Sequence, residues 1–229
     1  MTVTSIATYL QLAATTVTGG VRGGFSTVVN TPQLAAENAR LQAQNAALKT
    51  ENLALTETLA RVPAERDLAL AQEKFPTGLP ATVIGFDPEA MLHVITIDRG
   101  GKDHISRDDG VVTSRGVVGR VIEVSPLSSK VLLISDRTSK LPAVIQRGRW
   151  WSIAIGTQTR VKLQYVSQDA KLKIGDAVVT GEGRSFHAGI LIGHITQISP
   201  AVAGALDQSA VVEPAVEVGS LSRVLVLPK

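Results

Sequence analysis

The chain has 229 residues, no Cys, four His and a formal net charge of +3, with 44 % hydrophobic and only 3 % aromatic residues. That length can bury more than one small core. The lack of Cys excludes disulfides and thiolate metal centres, and the small charge and scarce aromatics exclude a stacking or strongly basic nucleic-acid surface.

Residues 1–30 read as a leader or juxtamembrane segment. Met1–Val21 carries no charged side chain, but Thr, Ser, Gln and Gly interrupt its apolar residues. It falls short of the roughly 20 apolar residues of a spanning helix, and it lacks the basic start and compact apolar core of a signal peptide. Ile6, Leu10, Ala13, Val17 and Val21 share one helical face, as in an interfacial segment or an extension of a juxtamembrane coil.

Residues 31–74 form the next unit, a coiled coil followed by a short helix. Leu34, Leu41, Leu48 and Leu55 recur every seven residues, and Val62 continues the series. With these at d, the a positions are Asn38, Asn45, Asn52 and Leu59. A leucine seam opposite asparagine specifies a parallel, in-register homodimer, because the amides pair across the axis only when the helices align. Three polar a positions and weak flanking charges make that coil modest in stability. Thr31 suits the N-cap with Pro32 at the first helical position. Pro63 is expected to stop or kink the rod, leaving a second, shorter helix from Ala64 to Lys74.

From Ala81 the composition turns to short Val, Ile and Gly runs closed by Ser-Pro and Ser-Asp turns, which predicts small antiparallel barrels or sandwiches. The fold class is therefore mainly β with an N-terminal helical coil. A repeat divides the β region. Asp109-Gly-Val-Val-Thr113 returns as Asp176-Ala-Val-Val-Thr180, and Val118-Gly-Arg-Val-Ile-Glu-Val-Ser125 as Ile192-Gly-His-Ile-Thr-Gln-Ile-Ser199. The pattern predicts two related modules, over residues 81–147 and 148–229, the second with an enlarged loop around Arg184, Ser185, Phe186 and His187. Loops on rigid β-scaffolds are common binding sites, so these four residues are a candidate partner surface. The competing expectation is that Phe186 plugs its own barrel.

Chemistry is otherwise sparse. The four His show no metal-ligand spacing, and Gly100-Gly-Lys102 lacks the spacing of a phosphate loop. A double-barrel serine protease would need a Gly-x-Ser-x-Gly elbow or a similar nucleophile-bearing stretch, and none is present. No catalytic, cofactor-binding or metal residue is therefore assigned, and no cofactor is expected. Seventeen basic and fourteen acidic residues from Ala81 on make a mixed surface rather than a nucleic-acid stripe. Trp150-Trp151 suits either one ring in the core and one covering a strand edge, or a partner hot spot.

Thr96-Ile-Asp-Arg-Gly-Gly-Lys-Asp103, Gly110-Val-Val-Thr113, Gly116-Val-Val-Gly-Arg-Val121 and Ser129-Lys-Val-Leu-Leu-Ile-Ser-Asp136 resemble the first β-domain of the bacterial rod-shape-determining MreC family. Gly175-Asp-Ala-Val-Val-Thr-Gly181, Phe186, Gly189-Ile-Leu-Ile-Gly193 and Val224-Leu-Val-Leu227 resemble its second. The resemblance implies a non-enzymatic dimeric scaffold of the cell-elongation machinery, held at the cytoplasmic membrane with its β-domains outside. The implied partners are a second copy of the chain, with further assembly left open, the membrane protein MreD, penicillin-binding proteins and, indirectly, MreB. Family members normally begin with a cytoplasmic tail and a transmembrane helix. Neither is visible here, so a chain shortened at its N-terminus is expected. His104, Glu182 and His187 depart from the family's usual Gly, Ser and Pro. A periplasmic adaptor of an efflux or secretion system is the alternative, but its coil is usually a long hairpin, and Ala64–Lys74 is too short to return along a rod of about 45 Å.

Overall fold

The computed structural model describes residues 31–86, 93–199 and 207–228. The segment expected over residues 1–30 lies outside them. The chain divides into two compact units at Leu59/Ala60.

Helix α1 runs from Thr31 to Lys74 as one element. Its start agrees with the Thr31-Pro32 signal, but the expected end at Pro63 is overturned, because the helix continues through that residue. A proline costs the helix one hydrogen bond and a steric clash, and tertiary contacts offset this on its C-terminal side. Ala71 is buried, and Leu68 and Phe75 pack against the apolar cluster between the barrels. The Lys74 Nζ donates to the Ser114 carbonyl at 2.6 Å, and the Ser114 hydroxyl donates to Asp67.

Twelve strands follow among the described residues. They are β1 (Leu79–Phe86), β2 (Val94–Ile97), β3 (Gly110–Val112), β4 (Val117–Val124), β5 (Ser129–Leu133), β6 (Lys140–Ile145), β7 (Trp150–Gly156), β8 (Val161–Ser167), β9 (Ala177–Thr180), β10 (Leu191–Ser199), β11 (Asp207–Pro214) and β12 (Arg223–Leu227). They close two barrels, ordered β1-β12-β3-β4-β5-β2 and β7-β6-β9-β10-β11-β8. Neither barrel leaves an open sheet edge.

The two orders are the same barrel written twice. β3, β4 and β5 of the first correspond to β9, β10 and β11 of the second, as the repeat predicts. The register confirms the match: β4 shifts between Val121 and Glu123, and β10 shifts between Ile195 and Gln197. Gly119 and Gly193 occupy matching sites where a Cβ would lie 2.0 Å from a neighbouring-strand carbonyl, that of Leu132 or Glu213. A side chain at either site would force the strands apart, which explains why both repeats carry glycine there.

The strand between β1 and β3 is where the two barrels differ. In the second barrel the corresponding strand is β6, which precedes β7 through a short hairpin. In the first it is β12, which arrives after the whole second barrel. The barrels are therefore nested, with residues 140–214 inserted between β5 and β12. The module boundary expected at 147/148 falls within the β6–β7 turn of the second barrel. Local strand patterns do not report which distant strand closes a barrel.

β12 also shows how the cores are divided. Val224 and Val226 point into the first barrel among Ile95, Ile97, Val111, Val121 and Val131. Leu225, wholly buried, points outward into a second cluster with Val112, Val117, Ile134 and the interior of the second barrel. With both faces covered, β12 reads as an unbroken apolar run.

Candidate functional site

The heptad residues lie on α1 before the unit boundary. Leu34, Leu41, Leu48, Leu55 and Leu59 are 65, 53, 57, 56 and 70 % exposed. Asn38, Asn45 and Asn52 are exposed as well. The Gln42 amide donates to Asn38 Oδ1 at 3.2 Å, and Thr56 Oγ1 donates to the Asn52 carbonyl at 2.7 Å. An aliphatic seam this long gains nothing from solvent, and burying each leucine against a partner would release about 1.5–3 kcal/mol.

The enlarged loop between β9 and β10 has a divided role. Phe186 is buried and belongs to the inter-barrel cluster. A Cβ on Gly110 of β3 would lie 2.6 Å from the Phe186 ring and 2.4 Å from the Ser185 carbonyl. The ring therefore rests on a strand of the first barrel, in a space that only glycine leaves open. This corrects the reading of Phe186 as an exposed anchor. The plug expectation is also modified, since the ring joins two barrels rather than closing one. Ser185 is half-buried, while Arg184 and His187 are exposed. Arg184 and Arg120 both meet the Asp108 carboxylate, at 3.6 and 3.1 Å, so a charge clamp accompanies the ring. His187 Nδ1 lies 3.3 Å from Glu182, and His104 adopts a left-handed φ of 63°, the conformation that suits glycine at this position.

The tryptophans separate. Trp150 is half-buried against the inter-barrel cluster, whereas Trp151 is 60 % exposed. Trp151 and Ile153 project from β7 and Tyr165 from β8, all outward. The Trp151 ring passes close to Gly181, where the enlarged loop begins. Exposed aromatics are notable in a chain this poor in them; the Trp150-Trp151 pair is visible in the sequence, whereas Tyr165 is not. Alternation places Tyr165 on the face of Leu163; a register shift between β8 and β11 and a left-handed φ of 60° turn it outward.

Asp109 and Asp176 head the two repeats. Each accepts a turn N–H three residues back, from Ser106 and Lys173, both at 2.8 Å. Asp176 is also held by Arg147 of the β6–β7 hairpin, with Nε and Nη2 at 2.7 and 2.8 Å. In the first barrel β12 has no hairpin to β1, and Asp109 Oδ1 is buried without a partner. The Arg147 guanidinium holds the Asp176 carboxyl below the usual carboxylate range. Burial opposes this, and the Lys173 N–H reinforces it. Because the folded value is depressed, the stabilisation is complete above the ordinary aspartate pKa of about 4 and is lost as pH falls through the folded value. Urea midpoints measured in pH steps should show the wild type losing its advantage over Asp176→Asn in that acid window. A constant difference from pH 7 downward would refute the linkage.

Among the described residues no three metal-ligating side chains cluster, and no helix is long and apolar enough to cross a membrane. No histidine ring there is hydrogen-bonded to a serine. The exposed apolar side chains among the described residues include the leucine series of α1 and Trp151, Ile153 and Tyr165.

The two barrels have counterparts among known proteins. The family model for "Rod shape-determining protein MreC, barrel core" matches residues 83–228, spanning strands of both barrels. The cell shape-determining protein MreC of Escherichia coli (strain K12) is 31 % identical over 107 residues, covering 45 % of this chain and 29 % of the relative. The chain thus spans under a third of that relative's length in the match. The crystal structure of MreC from Pseudomonas aeruginosa superposes with a TM-score of 0.60 at 31 % identity, covering 66 % of this chain and 98 % of that one. A Helicobacter pylori structure described as a complex between penicillin-binding protein (PBP2) and MreC shares the fold at 18 % identity and a TM-score of 0.55, covering 67 % of this chain and 98 % of that one. With two closed barrels, their repeat and a match across most of both, the chain belongs to the MreC family of rod shape-determining proteins.

Proposed function

We propose that the chain is a non-enzymatic, dimeric scaffold that organises peptidoglycan synthesis during cell elongation, held at the cytoplasmic membrane with its barrels outside. The observation that carries this reading is the exposed heptad seam of α1, which a single copy leaves unburied. Leu34, Leu41, Leu48 and Leu55 with Leu59 form the d and a contacts, and Asn38, Asn45 and Asn52 set a parallel register. Confinement to a membrane raises effective concentration, so a weak coil suffices there. The scaffold's partner is a penicillin-binding protein, by analogy with the Helicobacter pylori complex; MreD and MreB complete the assembly implied by family membership. Trp151 and Ile153 of β7 and Tyr165 of β8, all exposed, supply apolar anchors for that partner.

Sedimentation across concentrations should show a reversible dimer, and Leu41→Asp with Leu48→Asp should be monomeric with barrels intact. In the same series, Trp151→Glu should keep the dimer and the wild-type melting temperature yet lose capture of the cognate penicillin-binding protein. A monomeric wild type at every concentration, or disulfide cross-links between Cys residues placed at Ala36 and Thr58 on opposite copies, would sink the parallel-dimer scaffold.

A further inference from the structure

The contact between the barrels leaves a cavity of about 220 Å³. Val117, Ile134, Leu141 and Phe186 give it an apolar floor, and its charged lining is Arg120, Lys140 and Arg184. No acidic residue lines it. Asp108, just outside, serves two of the three cations, Arg120 and Arg184. Lys140 has no carboxylate within salt-bridge distance among the described residues. Ser139, only 4 % exposed, lines the same space, and Arg120 Nε is buried there without a hydrogen-bond partner.

These features belong together. With three cations beside it and one carboxylate, itself already shared by two of them, the cavity mouth carries net positive charge that draws an anion. An anion brought among them gains charge-assisted hydrogen bonds, and the buried Arg120 Nε without a partner is a donor waiting for an acceptor. The apolar floor selects what the anion must carry. Pockets for cofactors and drug-sized ligands run from about 300 to 1,000 Å³, so this one admits only a small group.

We propose that the inter-barrel cavity is a binding site for a carboxylate on a short apolar stem. The carboxylate lies among Arg120, Lys140 and the Ser139 hydroxyl, and the stem lies on Val117, Ile134, Leu141 and Phe186. Because the lining comes from both barrels, occupancy ties them together. The ligand chemistry has two sources, the free end of a peptide or a small free acid. This inference is independent of dimerisation and of the Trp151 surface.

The full chain would be titrated calorimetrically with N-acetyl-leucine, its amide and pentanoate, with ¹⁵N shifts followed at Gly119, Gly181 and Gly183. A carboxylate should bind at least about tenfold more tightly than the amide. Lys140→Gln should weaken that binding about fivefold while leaving the melting temperature unchanged. Tighter binding of N-acetyl-leucine identifies a peptide end as the source, and tighter binding of pentanoate a free acid; either supports the site. The proposal is overturned if neither carboxylate moves the three glycine signals at about 10 mM, if the amide binds equally well, or if Lys140→Gln has no effect.

Discussion

Phe186→Ala should unfold roughly 10 °C below the wild type. The ring is buried between Gly110 of β3 and the outward residues Val112 and Leu225, so its removal leaves a cavity that neither barrel can fill without moving. Truncations of this kind cost about 3–5 kcal/mol, and in a domain of this size each kcal/mol lowers the midpoint by roughly 2–4 °C. Differential scanning calorimetry measures this directly. The shape of the transition is informative too, because loosening the barrel contact should broaden one peak or split it in two. A loss below about 1 kcal/mol would mean that the ring is dispensable to the fold.

The larger effect is expected from ending the chain after Leu221. This removes β12, whose partners are β1 through Leu79↔Val226 to Thr82↔Arg223 and β3 through Leu225↔Val112 to Leu227↔Gly110. Val224, Leu225 and Val226 are each almost wholly buried, and at about 1.5–3 kcal/mol per side chain their loss approaches the entire stability of an ordinary domain. The backbone groups left open on β1 and β3 add to that cost. Hydrogen exchange should show β1 to β5 unprotected and β6 to β11 still protected. Retained protection in β3 and β4 would show that the first barrel stands without its last strand.

Much of this architecture is legible in the sequence, and what is not has identifiable causes. The long N-terminal helix is legible because a seven-residue leucine period is a local pattern. The repeat is legible because Gly119 and Gly193 are fixed by close approach of backbone, which leaves the same residue in both copies. Helix continuation through Pro63 is not legible, since it depends on Ala71 and Phe75 meeting barrel residues far along the chain. Phe186 is ambiguous in sequence for the same reason: the space it occupies is created by Gly110 on another barrel. β12 looks like one more apolar strand, and nothing within Arg223–Leu227 states that its neighbours are β1 and β3. The cavity is the least legible feature, because Arg120, Lys140 and Arg184 come from separate segments and acquire meaning only when placed side by side.

The nesting of the barrels reverses the order in which the chain becomes foldable as it leaves the ribosome. Domains generally fold as units, the N-terminal one first. Here the second barrel has all its strands by Pro214, while the first still lacks the strand at Arg223–Leu227. During that interval the nascent first barrel exposes β1 and β3 as a gap of one strand width, open to any extended segment nearby. The strand that closes it is made only after the whole inner barrel, so a ribosome that stalls between Pro214 and Arg223 leaves a finished inner barrel on an unfinished outer one.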